Sequence, residues 1–360
     1  MLSIRKLLVV SLLASACSQG GTTPKPNKII MLIADGAGTE QWTLAHLADE
    51  NLAIRQMPVT GLIDTRGSNH QVSGSAPTAT ALATGTRSVM GAIGVGPDSI
   101  PRESVLEKAH LQGWGTGLIT TTTITDATPA AFAAHVPSRT QRMDILQQMV
   151  NLPVNVLLGG GSRMIEVLEE QGLKELQTLI ADRYRYVDSS TELSILSQDS
   201  TTSHILGLFS PGEMPMSLRG RSPSLAEMTT AGIDILDRNP NGFFLLVENE
   251  GSDTYSHRNL DREVLVAEML EFDDAVGIAL SYFREHPETL IVVTSDHETG
   301  GITLRGDEER DIVMEYATTS HTAALVPLFA IGPGSAQLGG LKRNDEIGKI
   351  LIGLLNPSSN

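Results

Sequence analysis

The stretch Leu290-Ile-Val-Val-Thr-Ser-Asp-His-Glu-Thr-Gly-Gly301 begins as an apolar, β-branched run and ends in charged residues and two glycines. Such a run predicts a buried strand of an α/β sheet. In open α/β sheets, ligands bind just beyond the carboxyl ends of the strands. A carboxylate beside an imidazole there, as in Asp296 and His297, indicates a metal site. A lone Asp-His pair is more common in a polar turn, so the metal interpretation requires further ligands at other strand ends.

Other apolar runs are followed by hard oxygen donors in the same way. Each donor, taken alone, also fits a helix cap or a turn, which is the more common role for Asp126 and Thr128. Together they predict that several strand ends carry potential metal ligands. The strands and their donors are Lys28–Ala34 with Asp35, Gly117–Thr121 with Asp126 and Thr128, and Phe243–Val247 with Glu248.

Histidines lie close to these strand ends or to further acids. Asp253 and His257 are spaced i and i+4, which places them on one face if the segment is helical. His321 comes shortly before a predicted strand over Val326–Ile331. The chain therefore contains imidazoles as well as carboxylates for a metal centre.

The segment Ser75-Ala-Pro-Thr-Ala-Thr-Ala-Leu-Ala-Thr84 predicts a helix that starts near Ala76 and stops at Gly85. Pro77 fits the first turn, where a missing N–H has no cost. A serine at a helix N-terminus lies in a positive partial field, which stabilises an attacking alkoxide or a bound phosphate. The more common alternative is that Ser75 only caps the helix.

The remaining pattern predicts further helices and leaves one region open. Gly159–Gly161 is interpreted as a turn after a strand, because no Walker A lysine follows it. Residues 162–222 carry no decisive periodicity. The predicted helices span Ser104–Leu111, a capping-box helix from Ser224 to about Leu236, Arg262–Glu285 with its acids on the exposed face, and Asn344–Leu355.

Composition limits the classes of protein that fit. The chain has 360 residues, of which 41% are hydrophobic, enough for one large α/β domain or two smaller ones. Its net charge of -16 argues against a nucleic-acid partner. An acidic surface also repels anionic substrates, so an anion site would need local cations. Arg139 offers a planar fork that can bind two phosphate oxygens.

The N-terminus has the pattern of a targeting segment. Charged Arg5 and Lys6 precede an apolar run and the small residues before Cys17. Residues 1–17 resemble a bacterial lipoprotein signal whose cysteine is acylated; an ordinary signal peptide is the alternative. Residues 18–28 are predicted to be a flexible tether. We therefore expect export to the periplasmic side, with a lipid anchor at Cys17 as the membrane attachment and the outer membrane favoured.

Seven motifs occur in the order found in bacterial alkaline phosphatases, and the chain resembles that family from about Ile29 to Asn356. The resemblance implies one domain over 29–356, a three-layer α/β/α sandwich whose central sheet is mostly parallel, with metal sites at the carboxyl ends of the strands. The motifs are Asp35-Gly-Ala-Gly38, Ser75-Ala-Pro-Thr-Ala-Thr-Ala81, Asp126-Ala-Thr-Pro-Ala-Ala131, His135-Val-Pro-Ser-Arg139, Glu248 with Asp253 and His257, Ser295-Asp-His-Glu-Thr-Gly-Gly301, and Ser320-His321.

The resemblance also implies roles for individual residues. Ser75 would be the nucleophile that forms a phosphoserine, Arg139 would bind phosphate oxygens, and Asp126 would lie close to magnesium and its waters. The implied reaction is hydrolysis of small phosphate monoesters to alcohol and inorganic phosphate. The implied metal ligands are Asp253, His257 and His321 for a first Zn²⁺, Asp35, Asp296, His297 and Ser75 for a second Zn²⁺, and Asp35, Thr128 and Glu248 for Mg²⁺.

One departure from the family pattern keeps alternatives open. The family usually has Asp directly before the nucleophile, where it helps to position the arginine; here the residue is Gly74. Alternatives are therefore a relative that cleaves phosphodiesters, phosphonates or sulfates, and a lipoprotein that only binds phosphate or metal. The chain is also short for the family, so the resemblance implies a homodimer only weakly.

Overall fold

The computed structural model describes residues 25–306 and 311–355. The predicted signal segment, Cys17 and the first part of the predicted tether lie outside these residues. The first strand begins at Lys28, so the predicted tether ends at least one residue earlier than expected.

Ten strands form the central sheet, and four more form two small ribbons. The order across the sheet is β14-β2-β13-β8-β1-β7-β3-β4-β6-β5. The strands are β1 Lys28–Ala34, β2 Val59–Asp64, β3 Gly115–Thr123, β4 Val156–Gly160, β5 Arg185–Val187, β6 Ile205–Leu208, β7 Phe243–Asn249, β8 Thr289–Thr294, β9 Glu298–Thr299, β10 Ile302–Gly306, β11 Ile312–Tyr316, β12 His321–Thr322, β13 Val326–Ile331 and β14 Gly340–Arg343.

The sheet is parallel except at β13, which runs antiparallel to both β8 and β2. Twelve α-helices occur in the described residues. They are α1 Thr39–Ala48, α2 Ser75–Thr84, α3 Val105–Leu111, α4 Ala127–Ala133, α5 Arg142–Asn151, α6 Arg163–Glu170, α7 Lys174–Arg183, α8 Ser190–Gln198, α9 Leu225–Leu236, α10 Gly251–His257, α11 Arg262–Glu285 and α12 Asn344–Leu355.

Strand β1 shows why the fold has three layers. Its side chains alternate between the two faces of the sheet. Ile29, Met31 and Ile33 pack in one apolar core with residues of α2, α4 and α12, whereas Ile30 and Leu32 pack in a second core with α9 and α11. Each face of the sheet is thus covered by helices, which confirms the predicted α/β/α sandwich.

The region 162–222 extends the sheet at one edge through β6 and β5. The turn predicted at Gly159–Gly161 is wrong for its first two residues, because both belong to β4. A Cβ on Gly159 would lie 2.9 Å from Thr120 Cγ2, and one on Gly160 would collide with the carbonyl oxygen of Gly212. Close packing, not chain reversal, accounts for these glycines.

Helix α11 has the predicted bounds, but the expectation that its acids face solvent is wrong for three of them. Glu268, Glu271 and Asp273 are buried. Arg221, itself buried, pairs with the first two, and Asp273 accepts backbone N–H bonds from Ala53 and Ile54. The partners come from distant segments, which a periodic pattern does not reveal.

None of the helices in the described residues combines the length with the apolar character needed to cross a bilayer.

Candidate active site

Four neighbouring parallel strands, in the order β8-β1-β7-β3, end at one edge of the sheet. Asp35 follows β1, Glu248 is the penultimate residue of β7, and Asp296 with His297 follows β8. Thr128 lies in the first turn of α4, just after β3. The parallel arrangement thus brings side chains that are far apart in the sequence to one place.

The first cluster consists of Asp253, His257 and His321. Helix α10 carries the first two, and the β9–β12 ribbon places His321 opposite Thr299. The Nε2 atoms of the two histidines are 3.0 Å apart. Oxygens of Asp253 lie 3.3 Å from His257 Nε2 and 3.6 Å from His321 Nε2. This set of two imidazoles and a carboxylate matches the ligands that Zn²⁺ prefers.

Hydrogen bonds on the far side of both rings assign their tautomers. Nδ1 of His257 lies 2.7 Å from the Thr319 carbonyl oxygen, and Nδ1 of His321 lies 2.8 Å from that of Ser73. A carbonyl can only accept, so each Nδ1 donates its proton. In the neutral rings, both Nε2 lone pairs then face each other and Asp253. A cation between them would resolve this repulsion, as in other sites where carbonyls orient histidine ligands.

The second cluster consists of Asp35, Asp296 and His297, which are all fully buried. His297 Nε2 lies 3.5 Å from Asp35 Oδ1 and 3.3 Å from Asp296 Oδ2. The Thr299 hydroxyl donates to Asp253 and therefore accepts from His297 Nδ1, 3.2 Å away. This tautomer leaves the His297 Nε2 lone pair directed at the two carboxylates, again the donor set of a divalent cation.

Ser75 adjoins the second cluster. It is the first residue of α2, and its Oγ lies 3.3 Å from His297 Nε2. Gly74, not Ser75, is the residue that caps the helix, so a pure capping role for Ser75 is wrong. The hydroxyl is thus placed beside the imidazole and the carboxylates in the positive field of the helix N-terminus.

The third cluster consists of three carboxylates, those of Asp35, Glu248 and Glu250. One oxygen from each of the three carboxylates lies within 4.8 Å of the others. Thr120 donates to Glu248 Oε2 at 2.5 Å. Both Asp35 oxygens, Glu248 Oε1 and the buried Thr128 hydroxyl have no hydrogen-bond partner in the described part of the chain. Unpartnered buried oxygens of this kind fit a hard cation such as Mg²⁺ or Ca²⁺.

The electrostatics agree with a requirement for cations. Burial and the charge of Asp296 raise the pKa of Asp35 well above its usual range, and burial raises the pKa of Glu248 to about 8. Burial and the charge of Asp253 also raise the pKa of Glu250. Asp253 differs: against the effect of burial, His257 and His297 lower its pKa to about 2. The acids of the third cluster are thus the ones most in need of positive charge, whereas Asp253 already has two imidazoles beside it.

Arg139 is held at the rim of the site by Asp126. The guanidinium forms a close ion pair with the Asp126 carboxylate, and the backbone N–H of Arg139 donates to the Gly91 carbonyl at 2.7 Å. Although burial acts against its charge, Asp126, Glu250 and Asp35 raise the pKa of Arg139. Asp126 therefore does more than the sequence predicted, because it supplies an anchor for Arg139.

At Gly74, the space that the family's aspartate would use is bordered by two side chains. An ideal Cβ would lie 3.3 Å from both Met90 Cε and His321 Cε1. The backbone φ of -129° suits any residue, so glycine is not needed for conformation. Arg139 thus relies on Asp126 in a site where the residue before the serine offers no carboxylate.

All the predicted metal ligands and Ser75 converge on this edge, and Arg139 with Asp126 lies beside it. Sequence analysis missed two residues of the site. Glu250 lies just beyond the end of β7, with the helical backbone that starts α10, so the alternation of the strand does not indicate it. Thr299, which orients both His297 and Asp253, gives no local signal either.

Comparisons with known proteins agree with this site. A family model described as alkaline phosphatase matches residues 26–313. Alkaline phosphatase H of Pseudomonas aeruginosa (strain UCBPP-PA14) is 30% identical over 412 positions, which cover 93% of this chain and 86% of the relative.

Solved structures are similar over nearly the whole chain. That of alkaline phosphatase from the Antarctic bacterium TAB5 has a TM-score of 0.84 at 30% identity, covering 92% of this chain and 100% of that chain. A mutant of the TAB5 enzyme with magnesium bound in its M3 site has a TM-score of 0.85 at 29% identity, covering 93% and 99%.

The chain therefore belongs to the alkaline phosphatase family. Membership makes it an enzyme of phosphate monoester hydrolysis that depends on divalent metal ions.

Proposed function

We propose that this enzyme hydrolyses phosphate monoesters through a phosphoserine on Ser75, with two zinc ions and one magnesium ion in the three clusters. The observation that carries the proposal is the convergence of two imidazole–carboxylate clusters and one oxygen cluster around Asp35, with Ser75 Oγ only 3.3 Å from His297 Nε2. The structure of a related TAB5 mutant has magnesium bound in a site named M3, which supports the inclusion of magnesium among the ions of this enzyme.

Each cluster has a donor set that fits its proposed ion. Bound cations would lower the pKa of the serine hydroxyl and stabilise the charges of the attacking and leaving oxygens. Asp253, His257 and His321 would hold one zinc ion. Asp35, Asp296, His297 and Ser75 would hold the other, and Asp35, Thr128 and Glu248 would hold magnesium.

The residues of the chain supply the remaining steps. Ser75 Oγ attacks phosphorus, the ester P–O bond breaks, and the alcohol leaves with a proton. Water then attacks the phosphoserine, the bond between phosphorus and Ser75 Oγ breaks, and inorganic phosphate is released. Arg139 binds the non-bridging oxygens and offsets their charge, while Asp126 holds the guanidinium in place.

The test is release of an aryl alcohol from its phosphate monoester at alkaline pH. Activity should be lost with a chelator and restored only when Zn²⁺ and Mg²⁺ are both added back. Acid quenching with ³²P-labelled substrate should trap label on Ser75. Restoration by Zn²⁺ alone would contradict the magnesium assignment, and absence of trapped label would contradict the intermediate.

A substrate panel tests the class of ester. We expect the aryl monoester to be cleaved faster than the matching diester and sulfate, because the third cluster adds a cation suited to a dianionic group. Faster cleavage of the diester or the sulfate would overturn the choice of monoester. Zinc binding without turnover of any of the three would favour a binding protein instead.

We also propose that the mature protein is exported and attached through a lipid on Cys17. The support is the sequence of residues 1–17, which lies outside the described part of the chain. Metabolic labelling with a fatty acid should mark the wild type and not Cys17→Ser. Release of the wild type into the soluble periplasmic fraction would contradict the anchor.

A further inference from the structure

Glu250 lies beside the third cluster but is not part of the ligand set that the family resemblance implies. It follows β7 and caps the start of α10, and its backbone N–H donates to the Thr121 hydroxyl at 2.9 Å. Its carboxylate reaches within 4.8 Å of oxygens of Asp35 and Glu248. Main-chain contacts on both sides therefore hold this side chain at the oxygen cluster.

The hydrogen bonds of Glu250 leave its carboxylate available. Oε1 accepts a bond of 3.3 Å from the Thr254 hydroxyl. The cluster that it adjoins contains Asp35 Oδ1 and Oδ2 and Glu248 Oε1, which are buried and have no hydrogen-bond partner among the described residues; the same is true of Thr128 Oγ1, close to Glu248. Three carboxylates thus lie close together, and no lysine or arginine forms an ion pair with any of them among the described residues, although like charges at this distance repel.

We propose that Glu250 is a fourth protein ligand of the ion in the third cluster, together with Asp35, Thr128 and Glu248. This inference rests on the proposed function, because it assumes that a hard divalent cation binds there. A typical Mg²⁺ site has one or two carboxylates and several waters. With three carboxylates, this site would replace a water by a charged ligand and hold its cation more tightly.

The chief alternative is that Glu250 acts through Arg139. Its charge contributes to the raised pKa of that arginine. However, the close ion pair of Arg139 is with Asp126, and among the described residues no nitrogen of Arg139 lies within 4.0 Å of a Glu250 oxygen. The carboxylate is thus placed within reach of the cluster oxygens and outside ion-pair distance of the guanidinium, which favours the role of metal ligand.

The experiment measures cation binding separately from activity. The zinc-loaded wild type, Glu250→Gln and a control, Glu213→Gln, would be titrated with Mg²⁺ by calorimetry, and bound zinc would be counted by mass spectrometry. Glu213 is an exposed acid whose nearest cation, Arg258, is 3.8 Å away, so the control removes the same charge outside the cluster.

We expect Glu250→Gln to weaken Mg²⁺ binding by about tenfold to one hundredfold, at least as much as the loss of an outer partner of a metal ligand. Zinc content and the Glu213→Gln titration should match the wild type. Equal Mg²⁺ affinity in Glu250→Gln would overturn the inference. Unchanged Mg²⁺ affinity with weaker inhibition by inorganic phosphate would assign Glu250 to Arg139 instead.

The wild type separates failure of this inference from failure of the proposed function. If wild-type protein bound no Mg²⁺ beyond its zinc, the third metal itself would be refuted, and Glu250 with it. If Glu250→Gln bound Mg²⁺ as tightly as the wild type, and Glu248→Gln bound it less tightly, the proposed function would stand. Only the role of Glu250 as a fourth ligand would then be refuted.

Discussion

Two groups of buried carboxylates lie on either side of β7, and they are satisfied in opposite ways. In the first group, at the carboxyl edge of the sheet, oxygens of each residue lack a hydrogen-bond partner among the described residues. In the second, on α11, every carboxylate oxygen has one. The first group is Asp35, Glu248 and Asp296, and the second is Glu268, Glu271 and Asp273.

The alternation of β7 separates the two groups. Glu248 accepts from Thr120 on the side of the metal clusters, whereas the next residue, Asn249, donates to Glu268 at 3.3 Å on the side of α11. Successive side chains of a strand point to opposite faces. Adjacent residues of β7 thus face the metal clusters on one side and the acids of α11 on the other.

Burial of charge alone therefore does not mark a functional site. Burial raises the pKa of Glu271 although Arg221 opposes this effect, so burial destabilises the charged form of an acid even when it has a cationic partner. What distinguishes the catalytic edge is that each of its acids keeps at least one oxygen without a hydrogen-bond partner and that none of them pairs with a lysine or arginine among the described residues. They depend on an ion from solution, and this makes stability and activity respond differently in the two regions.

The largest expected effect is on catalysis, in the unpartnered region. Ser75→Ala should lower kcat for the aryl monoester by at least about 10⁴-fold, because no other hydroxyl replaces the nucleophile. Bound zinc and the unfolding midpoint should change little, since Ser75 adds one ligand to a site with three others. Wild-type turnover in the variant would refute the assignment of the nucleophile.

In the partnered region, the loss of a cation should cost stability instead. Arg221→Met leaves Glu268 and Glu271 buried without their guanidinium, which should lower the free energy of unfolding by about 3–5 kcal/mol. Denaturant unfolding at neutral pH measures this change. Metal content and kcat per folded molecule should match the wild type, and a selective loss of metal would show that the two regions are coupled.

One substitution made in both regions should have opposite signs. In excess chelator, Asp35→Asn should raise the free energy of unfolding by about 1–2 kcal/mol, because it removes a repelled buried charge. Asp273→Asn should lower it by about 1–3 kcal/mol, because backbone N–H groups of Ala53 and Ile54 lose a charged acceptor. Destabilisation by Asp35→Asn in chelator would mean that protein groups already satisfy this carboxylate.

The anchoring of Arg139 gives a smaller effect. Asp126→Asn keeps an oxygen for the start of α4 but removes the charge, and should weaken inhibition by inorganic phosphate about tenfold. Gly74→Asp should change the same constant less than about threefold, because Asp126 already holds Arg139. Tenfold tighter inhibition in Gly74→Asp would show instead that Arg139 is poorly anchored in this chain.

The smallest effect belongs to a partly exposed acid. A hydrogen bond from Arg66 outweighs burial and lowers the pKa of Asp64 to about 2. Since the folded value lies below the unfolded one, its contribution is present above about pH 4 and is lost as pH falls through about 2. Asp64→Asn should therefore cost at most about 1 kcal/mol at pH 7 and nothing near pH 2. An equal cost at both pH values would contradict this origin.

Local patterns predicted much of the secondary structure. Helix α11 and helix α12 have the predicted bounds, and α2 begins one residue before Ala76 and ends before Gly85 as expected. These segments have stop signals or, in α11 and α12, an amphipathic pattern, and both kinds of signal act over one or two turns. The region 162–222 lacked such signals, because its short strands β5 and β6 are specified by the sheet edge that they join.

The site could be predicted only in part. The Asp35, Asp296 and His297 ligands follow apolar strands, so the rule that ligands bind at the carboxyl ends of strands located them. His321 depended on the family resemblance, because a two-residue ribbon brings it to Thr299. The sequence does not indicate Glu250 and Thr299, because their roles depend on contacts with residues that are distant in the chain.

The sequence by itself determined the layered α/β fold, since alternating apolar strands and amphipathic helices can bury their faces in few ways. It also determined which chemical groups stand at the strand ends. Only the tertiary structure decided which buried acids are left without partners. A buried acid has a partner only where residues that are remote in the sequence come within ion-pair distance, as Arg221 does with Glu268 and Asp126 with Arg139. No local preference encodes such a distance, because it arises when the sheet and its helices pack together.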